Sequence, residues 1–307
     1  MPLEIEHLTY LETIRPGVVV RKEGSWIRCC WSYKKKKAKS NGGPSQLKEL
    51  HNLGGKLIIE NLGYGKGDVL EYKDANLNDR QHLQQLILRW DLWDGESECD
   101  EMLEGLQPHP NLKTLQLRDY IGVRIPSWVS SLTNLVHLNQ LPLLKSVSLW
   151  RMEALEYMSD EDSVSNVLGA SSSSSSSKTP FFPSLSSLYL NDRPKLKGWW
   201  RNSDDDDDDN EPHHLLLPSF PPSLSKLVIW GCPNLTSMPP FPYFKEPLYL
   251  SGCSWKVMEQ TMKMKMKMGA ATTSTYFPLS QLQELQLEKI NDLESLPEKG
   301  LRNLVSL

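Results

Sequence analysis

Apolar residues recur along this chain at an interval that is neither helical nor strand-like. In Leu224–Met238, LSKLVIWGCPNLTSM, they occupy the first, fourth, sixth, ninth, twelfth and fifteenth positions: Leu224, Leu227, Ile229, Cys232, Leu235 and Met238. Only the step from fourth to sixth has the period of two that lays alternate side chains on one face of a strand. The same spacing returns at 144–158 (Leu144, Val147, Leu149, Met152, Leu155, Met158) and at 282–296 (Leu282, Leu285, Leu287, Ile290, Leu293, Leu296). At 185–199 (Leu185, Leu188, Leu190, Arg193, Leu196, Trp199) it fails only at the ninth position. With 39% apolar residues, one six-position match arises by chance in roughly one window in a few hundred, so four matches define a repeat.

A unit with one short strand, a turn through Cys or Asn and an irregular return is a leucine-rich repeat. The expected fold is an α/β solenoid, a horseshoe with a parallel sheet on its concave side and irregular arcs with few short helices on its convex side. No single unit can bury its apolar edge, so stability has to come from stacking one coil on the next.

In chain order, residues 1–46 read as a degenerate repeat (Leu8, Leu11, Ile14, then a strand at Val18–Val20) followed by a basic loop, YKKKKAKSNGGPS at 33–45. Residues 47–307 read as the solenoid proper. Its first strands place Leu57 and Ile59, Leu83, Leu86 and Leu88, and Leu112, Leu115 and Leu117 inward. Residues 68–82 predict a short convex helix, 94–101 an acidic loop, and Pro126 to about Leu132 a helix with Pro in its first turn. A coil begun at Leu135–Leu138 breaks off before the unit at 144, as a deleted half-repeat would. Low-complexity inserts at about 160–180, 200–217 and 260–276 hold seven serines (Ser171–Ser177), six aspartates (Asp204–Asp209) and the MKMKMKM tract (Met262–Met268). All three follow the fifteenth position of a unit, where the chain has left the strand face, and should protrude on one side. The MKMKMKM tract alternates like an edge strand, but a disordered insert is the favoured expectation. Phe182-Pro183, Phe220-Pro221 and Phe277-Pro278 precede three strands, where Pro would hold the chain extended and Phe would pack between coils.

Charge changes the picture little: 34 basic against 38 acidic residues exclude a nucleic-acid surface spread over the whole chain. No run of 18 apolar residues offers a membrane span, and MPLEIEHLTYLETI has neither the basic start nor the cleavage site of a signal peptide. The five cysteines contain no CxxC, so a reduced compartment is expected, with Cys232 and Cys253 tucked under their turns as weak donors to nearby carbonyls. There is no hydrolase elbow, HExxH or phosphate loop; GYGKGD at 63–68 has the glycines without the spacing. His213-His214, Asp204–Asp209 and Lys34–Lys37 read as solvated segments ahead of a metal site, a calcium loop or a nuclear address. The Asn234-Leu235-Thr236 sequon has its Leu at a core position. No enzyme, metal or cofactor site is expected.

What remains is the concave face. The third, fifth and seventh positions point away from the core by strand alternation. Among them Arg89, Gln116, Arg118, Trp150, Tyr189, Lys226, Trp230, Tyr249, Glu284 and Gln286 are the candidate partner-binding residues. Trp150 and Trp230 share the seventh position, and Tyr189 and Tyr249 the fifth. Aromatics in such rows either form a binding hot spot or stack between coils.

The blocks FPSLSSLYL and FPPSLSKLVIWGCPNLTSMP and the ending LEKINDLESLPEKGLRNL resemble the repeats of plant intracellular nucleotide-binding, leucine-rich-repeat disease-resistance proteins of the coiled-coil branch. So, in the same order, do LKELHNLGGKLIIENL, LNDRQHLQQLILRWD and LQPHPNLKTLQLRDYIGVRIPSWV. The resemblance implies a cytoplasmic innate-immunity receptor, with the nucleus as a second location. Its repeats would recognise a pathogen effector or guarded host protein and restrain the receptor's nucleotide switch. ADP or ATP is expected only in the nucleotide-binding domain of such a receptor, which this chain lacks. The chain ends inside a coil at LVSL, as a piece of a larger receptor would. A repeat-bearing substrate adaptor or scaffold of the F-box kind, and a gene fragment without function, are the alternatives.

Overall fold

The computed structural model describes residues 18–21, 27–29, 32–34, 47–48, 53–62, 69–90, 99–130, 143–159, 182–200, 219–262, 266–267, 275–276 and 278–295. In chain order, β1 (Val18–Arg21) is followed by an antiparallel pair, β2 (Ile27–Cys29) and β3 (Ser32–Lys34). The expected loop at 33–45 therefore begins inside a strand, and residues 35–45 lie outside the described ones. Next come β4 (Gly55–Leu62), helix α1 (Val69–Asp74), β5 (Leu83–Trp90), helix α2 (Cys99–Gly105) and β6 (Thr114–Arg118). After helix α3 (Ser127–Ser130) run β7 (Ser146–Trp150), β8 (Tyr157–Ser159), β9 (Ser187–Asn191), β10 (Gly198–Trp200), β11 (Lys226–Cys232) and β12 (Leu248–Cys253). Helix α4 (Lys256–Met262), an antiparallel pair β13 (Met266–Lys267) and β14 (Thr275–Tyr276), and β15 (Leu285–Glu288) complete the order.

Nine strands form one sheet in the order β1-β4-β5-β6-β7-β9-β11-β12-β15. Every pairing in it is parallel. Sheet neighbours are also neighbours along the chain, as a right-handed coil stacked on itself requires. The fold is the expected α/β leucine-rich-repeat solenoid. Five strands enter through a tight turn: Leu83, Leu112, Leu185, Leu224 and Leu282 donate their N–H to the carbonyls of Arg80, His109, Phe182, Pro221 and Leu279. The aromatic-proline step at Phe182-Pro183 belongs to such a turn and is not extended, since Phe182 stands at φ 49°, and Phe277 lies outside the described residues. The Phe182 ring, like that of Phe220, is buried, and Phe220 meets Trp199 edge-on at 5.6 Å.

The core is the inward column of the repeat. In the unit at 224 all six apolar positions are 3% exposed or less, so stacking removes almost the whole apolar edge from water, the dominant favourable term in folding. At the last unit Leu282 and Leu285 are buried, while Leu287, Ile290 and Leu293 are only partly so. Cys232 and Cys253 lie side by side in register, buried and unbonded to each other. Cys232 Sγ is 3.6 Å from the Trp230 carbonyl and 3.9 Å from that of Leu190.

At the same ninth position of its unit, Arg193 is fully buried. Its Nε faces the Leu149 carbonyl at 3.5 Å and its terminal nitrogens face the sulfurs of Met158 and Met152. Burial pushes the guanidinium down to about 10 despite the nearby Cys232 sulfur.

The returning arcs are more ordered than the sequence predicts. β8 and β10 pair in parallel, and Gly198 bridges to Ser237, so three successive units carry a second short ladder. The helix expected in 68–82 is α1 with a 3-10 turn at Leu77–Asp79. The acidic loop at 94–101 gives way to α2 at Cys99, because Cys99, Met102 and Leu103 form an apolar stripe that buries against the coil. Trp128 Nε1 donates to the Leu103 carbonyl at 3.0 Å, which ties α3 to α2. Within the expected insert at 260–276, Met262 ends a helix and Met266–Lys267 form a ladder with Thr275–Tyr276. The serine and aspartate runs, Lys35–Lys37, His213-His214 and Leu135–Leu138 lie outside the described residues.

Candidate recognition face

The seventh positions of adjacent strands pair across the sheet. Arg89 is in register with Arg118, Arg118 with Trp150, Trp150 with Asn191, Asn191 with Trp230, and Trp230 with Ser251, which pairs with Glu288. One strand pleat away lies a second row, in which Gln116, Ser148, Tyr189, Val228, Tyr249 and Gln286 follow one another. The rows are straight because every unit has the same number of residues between its inward leucines. Lys226 and Glu284 occupy third positions of the same face, Lys226 exposed and Glu284 half-buried. Nine of the ten candidate residues thus lie in strands of one sheet, and Glu284 immediately precedes β15.

The aromatics divide into two kinds. Trp150 and Trp230 are 40% and 46% exposed. Trp150 Nε1 donates to Ser148 Oγ at 2.6 Å, and the Arg118 guanidinium lies over its ring at 5.6 Å. Tyr189 and Tyr249 are half-buried and engaged within the sheet. Lys226 Nζ stands 5.4 Å over the Tyr189 ring, and the Tyr249 hydroxyl donates to Glu288 Oε2 at 3.0 Å. That hydroxyl, with Ser251 Oγ at 3.2 Å, holds the Glu288 carboxyl below its ordinary range.

Charge is graded along the face, basic at Arg89, Arg118 and Arg151 and acidic at Glu284 and Glu288. Arg118 is tethered by donating to Gln116 Oε1 at 3.1 Å. Gln286 donates to Glu284. The buried carboxylate of Asp119 organises the basic end: Arg151 Nη2 is 2.6 Å from its Oδ1 and Arg89 Nε is 3.6 Å from its Oδ2, with Glu60 at 4.0 Å from Arg89 Nη1. Arg89, Arg118, Asp119, Trp150, Arg151, Asp192 and Trp230 together line a cleft of about 350 Å³.

Three of those lining residues, Asp119, Arg151 and Asp192, occupy the eighth position of their units and were not among the sequence candidates. Their backbone explains their placement. The eighth position is left-handed in six units: Asp119 (φ 59°), Arg151 (46°), Asp192 (59°), Gly231 (66°), Gly252 (57°) and Lys289 (54°). A left-handed residue swings the chain off the strand and aims its side chain over the strand ends. The signal for this was in the sequence, since Gly231 and Gly252 align with two Asp, residue types that favour that conformation. Among the described residues no group of His, Cys, Asp and Glu could hold a metal ion. The thiols of Cys232 and Cys253 are pushed up by burial to about 11 and about 12, so neither is a nucleophile at neutral pH.

The leucine-rich repeats of the R13L1/DRL21 family match residues 45–162. These are leucine-rich repeats of the kind that plant disease-resistance proteins carry. The putative disease resistance protein RGA1 of Solanum bulbocastanum is 36% identical over 173 residues, half of this chain and 16% of the relative. The putative disease resistance RPP13-like protein 1 of Arabidopsis thaliana is 26% identical over 303 residues, covering 84% of this chain and 26% of the relative. The disease resistance protein RGA2 of Solanum bulbocastanum is 30% identical over 177 residues, again half of this chain and 16% of the relative. The leucine-rich-repeat chain thus spans about a sixth to a quarter of the curated relatives it matches. No helix among its described residues is long and apolar enough to cross a membrane.

Proposed function

We propose that this chain is the non-enzymatic recognition module of a cytoplasmic plant immune receptor, with its concave sheet as the protein-binding surface. The partner is a pathogen effector or a guarded host protein. In a full-length receptor the same repeats rest against the nucleotide-binding domain, where ADP or ATP would sit, and keep that switch closed. The observation that carries this reading is the pair of exposed indoles, Trp150 and Trp230, held in one row of a parallel sheet whose repeats match those of disease-resistance proteins. Exposed aromatics on rigid strands lose little entropy on binding, and truncating such an anchor typically costs ~2 kcal/mol or more, about a thirtyfold loss of affinity.

The test is capture of partner protein from infected plant tissue by the wild-type chain and by Trp150→Ala/Trp230→Ala. Loss of capture by a variant that melts like wild type is the expected result. Equal capture by both removes the indole row from the recognition surface.

A further inference from the structure

We propose that the cleft between Trp150 and Trp230 takes an extended segment of partner polypeptide in which an acidic side chain stands next to a bulky apolar one. This rests on the concave sheet being the recognition surface, and adds what the partner presents to it. The indoles lie on β7 and β11 with β9 between them. Two strand spacings of about 4.8 Å put the strands that carry the indoles roughly 10 Å apart, room for one apolar side chain to enter between them.

Between them in the same row stands Asn191, only 6% exposed, with its Nδ2 buried and without a hydrogen-bond partner. Asp192, next in the chain, brings a carboxylate acceptor to the same cleft. That carboxylate suits an N–H of an extended backbone laid across the cleft.

The charge selects the side chain. Arg118 reaches over Trp150, and its Nε has no hydrogen-bond partner. Arg89 and Arg151 are already engaged by Asp119 and add to the positive rim. A basic segment would be repelled by these three guanidiniums, while a nucleotide's phosphates would meet the carboxylates of Asp119 and Asp192 in the same cleft. One carboxylate on a peptide would pair with Arg118, whose guanidinium lines the cleft and is held by the neutral Gln116 amide.

The probe is an array of nine-residue peptides carrying all pairs of residue types at two adjacent central positions, flanked by Gly and Ser, with the full chain as analyte. Pairs of Asp or Glu with Leu, Ile, Phe, Met or Trp should bind about tenfold above Gly-Gly. Trp150→Ala/Trp230→Ala should abolish the selection. Arg118→Gln should remove the preference for the acidic member and its salt dependence, leaving the apolar preference in place. Selection of basic pairs, no selection at all, or displacement of the bound peptides by ATP would overturn the proposal. A second variant, Tyr249→Ala/Gln286→Ala, separates the two levels. If it abolishes the selection and the Trp pair does not, the cleft assignment fails and the recognition face stands. If the array selects nothing while the Trp pair still governs capture of intact partner, the peptide chemistry alone is wrong.

Discussion

Placing an alanine at Gly231 puts a Cβ on a residue held at φ 66°. The new atom would stand 3.3 Å from the Cα of Asp192 and 3.4 Å from its Oδ1. Left-handed backbone costs an L-residue about 1–2 kcal/mol, and the loss of chain freedom in the unfolded state returns about 0.4–1 of it. Crowding against Asp192 adds to this, because the nearest atom is backbone of the adjacent coil and cannot swing away.

The net expectation for Gly231→Ala is a loss of about 1–2 kcal/mol. Gly252→Ala shares the left-handed backbone, at φ 57°, but its Cβ meets only Gly231 atoms at 3.6 Å, an ordinary contact. It should lose about 1 kcal/mol or less. Lys289→Gly, at φ 54°, runs the comparison in reverse and should gain some tenths of a kcal/mol. Urea unfolding followed by tryptophan fluorescence reads all three against wild type, with midpoints compared at constant slope. A midpoint for Gly231→Ala equal to that of wild type, or a lower one for Lys289→Gly, would refute the left-handed exit at the eighth position as a feature of the repeat.

Three other expectations follow from buried or shared polar groups. Arg193→Met removes a buried cation that has no carboxylate partner and should raise stability by about 1–4 kcal/mol, read by thermal melting. Burial holds the native Arg193 guanidinium down to about 10, below its ordinary value, so between the two the unfolded chain binds more protons and wild type gains stability as pH rises; Arg193→Met lacks that gain. Tyr249→Phe takes one hydrogen bond from Glu288, whose lowered pKa gives a contribution present above the ordinary 4.5 and lost as pH falls through the depressed native value. A carboxyl titration by NMR should show Glu288 move upward in the variant, and an unchanged curve would break the link. Cys232 and Cys253, buried with raised pKa values, should resist iodoacetamide at pH 8 in the native protein and react once urea unfolds it; prompt native labelling would contradict their burial.

Much of this was legible in the residue pattern. Leu227, Ile229, Leu285 and Leu287 could be assigned inward positions because strand alternation is a local property of the backbone. For the same reason Arg118, Trp150, Asn191 and Trp230 could be placed in one row before their strands were paired. Less legible was α2: Cys99, Met102 and Leu103 are embedded in acidic residues, and only the neighbouring coil makes their stripe worth burying. The ladder of β8, β10 and Ser237 was equally hidden, since its residues follow no alternation and pair only with other coils.

The sequence by itself determined the repeat, the inward column and the row of side chains that points away from it, because each depends on spacing within one coil. Stacking decided what that surface is: which guanidinium reaches Asp119, which indole stays exposed, and that Asn191 Nδ2 is buried without a hydrogen-bond partner. Those properties belong to side chains from different coils, far apart in the chain, and they acquire neighbours only when the coils close on one another.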